Sequence, residues 1–96
     1  MSFSNFGQLK NFGKLKKKLI DFAKAAGIPK GQYDIYFEHA NMYLQLPMGR
    51  LRFTSTVDWD SYYFTDNEGN GEEISLLDME EGNFLETKYT KYMEKI

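Results

Sequence analysis

The sequence predicts a small α+β domain ordered α-β-β-β-β-α, an antiparallel sheet with its N- and C-terminal helices packed on one face. Three observations predict it. Apolar residues recur at steps of three and four between Phe12 and Ala26. From Tyr33 to Val57 they alternate with polar residues. From Phe84 to Met93 helical spacing returns. A chain of 96 residues makes one domain over 1–96, with 1–10 expected as a frayed lead-in and 66–73 as an acidic loop.

The first helix rests on a stripe of Phe12, Leu15, Leu19, Phe22 and Ala26, joined by Ala23. Lys10, Lys14, Lys17, Lys18 and Lys24 fall on the opposite side. Asn5 or Asn11 is the expected N-cap, and Gly7 and Gly13 weaken the first turns, so the start is expected between Asn5 and Lys14. Gly27-Ile28-Pro29 is the stop signal, because Gly takes the left-handed conformation and Pro cannot continue a helix. A tandem hexamer, Asn5–Lys10 and Asn11–Lys16, has too few copies for a repeat architecture.

From Tyr33 the period is two. Tyr33, Ile35 and Phe37 alternate with Asp34, Tyr36 and Glu38, and Ala40-Asn41 is the expected turn. Met42, Leu44 and Leu46 alternate with Tyr43 and Gln45 ahead of a turn at Pro47-Met48-Gly49. Leu51, Phe53, Ser55 and Val57 then alternate with Arg50, Arg52, Thr54 and Thr56, as in strands with one face buried and one wet. Trp59 to Thr65 reads as a fourth strand whose inward set is ambiguous. Residues 72–78 are read as a fifth strand in preference to a turn-rich segment. Asn83 is the expected cap of a closing helix that runs to about Glu94, with Lys88, Lys91 and Lys95 suiting its negative end.

Charge is sorted along the chain. Residues 1–32 hold seven Lys against Asp21, a balance of +6. Residues 33–87 hold twelve acids against Arg50 and Arg52, a balance of −10, and residues 88–96 add +2. The formal total of −2 therefore hides an internal dipole that would steer a charged partner or a second copy of the chain. The sequence pI of 5.3 argues against a general nucleic-acid binder. The chain contains no Cys, which excludes disulfides and thiolate metal sites and leans to a cytoplasmic setting. No apolar run approaches the ~20 residues that span a bilayer, and Lys interspersed among the N-terminal apolar residues is unlike a signal peptide.

Three constellations are candidates for binding. The first is acidic: Asp58, Asp60, Asp66, Glu68, Glu72, Glu73, Asp78, Glu80 and Glu81, with no Lys or Arg between them. On a small domain such a run is expected to crowd one side, where it would present to a basic groove roughly what DNA phosphates present. The plainer reading is an acidic loop edge that serves solubility. The second is the outward sheet face, with Tyr36, Tyr43, Arg50, Arg52 and Tyr62 or Phe64; Tyr and Arg are the residue types enriched at interface hot spots. The third is the Lys face of the first helix, Lys10, Lys14, Lys17, Lys18 and Lys24, which would serve phosphates or anionic lipid. Most such faces are simply the solvated side of a core-packed helix.

Catalytic constellations are poorer. Asp66-Asn67-Glu68-Gly69-Asn70-Gly71 begins like an EF-hand loop, but its twelfth position is Leu77, where a bidentate Glu is required. His39 is the single histidine and stands at a strand end without a Cys or Ser partner near it in sequence. Asp78 with Glu86-Thr87-Lys88 resembles the D…ExK signature of PD-(D/E)xK nucleases, and the resemblance implies a carboxylate pair and a Lys around a divalent ion. That family sets its ExK on a central strand, whereas here it falls on an expected helix.

The expectation is a non-catalytic interaction module without cofactor or metal. In it an acidic surface docks on a protein partner's basic, nucleic-acid-binding surface, as a phage or mobile-element inhibitor of a host defence nuclease would. No direct nucleic-acid contact is expected, and homo-oligomers are open through charge complementarity. The alternative is a nucleic-acid or anionic-membrane-surface binder using the Lys helix; the third reading is a divalent-metal nuclease.

Overall fold

A computed structural model describes residues 2–39, 41–55 and 60–96, with side chains described from Gly13 on, Ser55 excepted. Expectations that fall on Ala40, Val57, Asp58 and Trp59, and on the side chains of Lys10 and Phe12, lie outside what is described. The order is α1 (Ser2–Ala25), β1 (Asp34–Glu38), β2 (Asn41–Leu46), β3 (Gly49–Ser55), β4 (Asp60–Asp66), β5 (Gly71–Ile74), α2 (Leu76–Glu81) and α3 (Phe84–Glu94). The strands form one antiparallel sheet in sequence order, β1-β2-β3-β4-β5. The α+β architecture read from the sequence is therefore the observed one.

Helix α1 starts earlier than its glycines suggest. It begins at Ser2, so Asn5 and Asn11 lie inside it and neither is its cap. A Gly inside a helix costs about 1 kcal/mol, whereas lengthening an existing helix needs no second nucleus. The end follows the stop signal. Gly27 has φ 84, the Gly27 N–H donates to the Lys24 carbonyl at 3.0 Å, and the Ile28 N–H donates to the Ala23 carbonyl at 3.1 Å. These are the paired bonds of a Schellman cap, and Ile28 is buried beside the helix it terminates.

Register decides which face each strand residue joins. Phe37, Met42, Phe53, Tyr62 and Ile74 form one cross-strand row, and Ile35, Leu44, Leu51 and Phe64 the next. Leu19, Phe22 and Ala23 of α1, Ala26 just after it, Met79 of α2 and Phe84, Leu85 and Tyr89 of α3 pack on these rows. Phe22 meets Tyr62 edge-on at 5.8 Å between centroids, and Phe84 meets Phe64 at 5.5 Å. All three helices thus cover the same face.

Two boundaries differ from the sequence reading. Asn41 already pairs with Glu38, so the first reversal comes one residue early, at His39, whose φ is 52. The fifth strand ends at Ile74, and the rest of the expected strand is α2. Ser75 caps it, its hydroxyl accepting from the Asp78 N–H at 3.0 Å. Ser75-Leu76-Leu77-Asp78 is the spacing of a capping box, which outweighs a short run of strand-like residues.

Candidate functional site

The face away from the helices carries the opposite set of each strand. Tyr36, Tyr43, Arg52, Tyr63 and Glu73 form one row across it, and Asp34, Gln45, Arg50, Thr65 and Gly71 the next. Tyr62 is a correction. The sequence reading places it on this face, but it lies on the covered face at 0% exposure, and Phe64 is buried on that face too. Tyr63 takes the outward place. The alternation of Tyr62-Tyr63-Phe64 is apolar on both phases, so period alone could not orient it, and the pairing of Tyr63 with Arg52 does.

The open face is organised by stacking. Tyr36 and Tyr43 stack with centroids 4.8 Å apart and planes within 4°. The Arg50 guanidinium lies 4.7 Å from the Tyr43 ring centroid and donates to the Tyr36 hydroxyl at 3.1 Å. The Arg52 guanidinium lies 5.1 Å from the Tyr63 centroid. Tyr63 in turn lies over Gly71 on β5, where a Cβ would run into its ring and hydroxyl. Among the described residues neither arginine is ion-paired, and the Arg52 Nε is shielded without a hydrogen-bond partner. Stacking holds both guanidiniums in place and leaves their charge uncompensated.

The described acidic residues lie along β4, the β4–β5 loop, β5 and α2, an interrupted rim of which α2 belongs to the covered side of the sheet. Asp60 opens β4 and Asp66 closes it, which sets them about 20 Å apart at strand rise. Glu80 and Asp60 both act on the Tyr62 hydroxyl, whose pKa is pushed up to about 12, chiefly by burial and then by these two carboxylates. Glu80 is ion-paired with Lys18, and Glu72 with Lys88 at 3.0 Å. Glu68, Glu73, Asp78 and Glu81 are exposed. The expected crowding on one side is thus divided by two lysines.

Asp66 organises its own loop. Its carboxylate accepts from the Glu68 and Asn70 N–H groups, each at 2.9 Å, and from the Asn70 side chain at 3.3 Å. These bonds, the Asn70 N–H first, hold its pKa below the usual range. Among the described residues no group of three His, Cys, Asp or Glu is placed to hold a metal. Asp78 lies on α2, and Glu86 and Lys88 on α3.

The lysines of α1 are dispersed. Lys17 pairs with Asp21 at 3.1 Å and Lys18 reaches Glu80, which leaves Lys14, Lys16 and Lys24 exposed and without an ion pair among the described residues. Lys88 and Lys91 of α3 and Lys95, the residue that follows it, line a groove together with Met48, Phe64, Tyr92, Asp66 and Glu68. No helix among the described residues is long and apolar enough to cross a membrane. Comparison with protein-family models, curated proteins and solved structures finds no match to this chain.

Proposed function

We propose that this protein is a non-catalytic interaction module that docks on another protein through the open face of its sheet, with its exposed acids acting on encounter. The carrying observation is the Tyr36–Tyr43–Arg50 and Arg52–Tyr63 stacks on a face that no described helix covers. Aromatic and Arg side chains held rigid at the centre, with charges around them, have the anatomy of a binding interface. Exposed Glu68, Glu73, Asp78 and Glu81 would add a long-range field that draws the protein to a partner with a basic surface, such as a nucleic-acid-binding one, with Glu73 standing at the edge of the open face. An inhibitor of a nucleic-acid-handling protein would act in this way.

The experiment is affinity capture from lysate with three baits: wild type, an Arg52→Glu variant, and a rim variant with Glu68, Glu73, Asp78 and Glu81 changed to Lys. The reading expects one protein held by wild type and lost from both variants, and expects that protein to release nucleic acid on binding. A partner retained equally by all three baits would sink it.

A further inference from the structure

We infer that Arg50 and Arg52 form a paired carboxylate receptor, and that it takes an extended acidic segment of the partner protein laid along β3. This rests on the open face being the contact surface, and it adds what that surface recognises.

Arg50 and Arg52 are alternate residues of β3, so they stand about 7 Å apart on one face. Carboxylates at alternate positions of an extended chain have the same spacing. The Arg52 Nε is shielded, which leaves the terminal amino groups of that guanidinium as its donors to a ligand. Arg50 spends one bond on the Tyr36 hydroxyl and keeps the rest of its fork. Stacking on Tyr43 and Tyr63 removes rotamer freedom before binding, so less is lost when a carboxylate docks.

Charge placement selects the ligand. Asp34 and Glu38 stand on the β1 edge and Glu73 on the β5 edge. The positive charge is therefore confined to the central strand, between two negative edges. A nucleic-acid strand crossing the sheet would carry phosphates over those edge carboxylates and be repelled. The Tyr43 and Tyr63 rings already hold guanidiniums, so their use as base-stacking platforms is reduced. A short acidic segment parallel to β3 meets both arginines and neither edge.

The test follows the arginine side-chain Nε–Hε signals of the isotope-labelled protein by NMR. The probe is the capped peptide Lys-Thr-Glu-Thr-Glu-Thr-Lys. Saturable shifts of the Arg50 and Arg52 signals are expected, absent with Gln in place of Glu. Affinity should fall at least about tenfold in Arg50→Gln and Arg52→Gln, whose backbone amide spectra report that they remain folded. Unmoved arginine signals, equal binding of the Gln peptide, or tighter engagement of the same arginines by oligothymidylate would each overturn the assignment. If the peptide fails while a captured partner is still lost from Arg52→Glu, the interface stands and the carboxylate assignment alone falls.

Discussion

Tyr36 and Tyr43 face each other across the β1–β2 pair with ring planes within 4°, and Arg50 bridges them by lying over one ring and donating to the hydroxyl of the other. Tyr36 is the outer member of this stack and Tyr43 the buried one, at 7% exposure. Substitution of Tyr36 should therefore separate binding from stability. Tyr36→Ala should lower stability by about 0.5–1.5 kcal/mol, the worth of one aromatic pair, while partner binding falls strongly. Chemical denaturation alongside a binding titration checks this. A large stability loss with unchanged affinity would make the stack a purely structural device.

Leu19 is fully buried where α1 meets the sheet. Leu19→Ala should cost roughly 2–5 kcal/mol, read as a shift in denaturant midpoint at unchanged slope. A midpoint that hardly moves would mean that α1 does not depend on the sheet for its place.

Tyr62 is buried, and its hydroxyl has no hydrogen-bond partner among the described residues. Tyr62→Phe removes an unsatisfied polar atom and keeps the ring contacts with Phe22 and Phe53. Stability should hold or rise by about 1 kcal/mol. The pH dependence has a definite sign. The folded protein holds this proton more tightly than the unfolded chain, so the contribution is complete below about pH 10 and is lost as pH rises towards 12. The Phe variant should lose less stability than wild type across that alkaline window.

These cases show what was legible in the sequence and what was not. Alternation oriented β1 to β3 because Ile35, Leu44 and Leu51 alternate with residues that are polar or carry a polar tip. It failed at Tyr62 because Tyr63 and Phe64 are aromatic too, and only pairing with Arg52 and Glu73 settles the phase. The Schellman stop at Gly27 was legible because one residue type satisfies it. Helix α2 was missed although Ser75 and Asp78 stand at capping-box spacing. The acidic run looked uncompensated because Lys18 and Lys88 are remote in sequence from Glu80 and Glu72 and meet them only in the fold.

Asp66 should set part of the acid limb of stability. Its pKa is lowered in the folded state by the N–H groups of Asn70 and Glu68, so its contribution is present above the ordinary Asp range. It is lost as pH falls through the depressed folded value. Asp66→Asn should flatten the stability profile in that acid window and leave neutral-pH folding cooperative. A thermal-melting series against pH checks this; identical acid limbs in wild type and variant would remove Asp66 from the account.

The rim supplies the last prediction. Asp66 holds its loop and Glu72 is bonded to Lys88, so reversing either one confounds folding with binding. Glu68, Glu73, Asp78 and Glu81 are exposed, and no side-chain bond or ion pair of theirs occurs among the described residues. Reversing these four to Lys should leave the fold intact, because exposed charges contribute little to stability. Association with a basic partner should slow by orders of magnitude at low salt, since rim charges act mainly on encounter. High salt should narrow the gap, because screening weakens the wild-type field at the same distances. Stopped-flow association at several ionic strengths measures both effects. Equal rates for wild type and variant at low salt would assign the acids to solubility and leave the tyrosines and arginines of the open face as the whole of the interface.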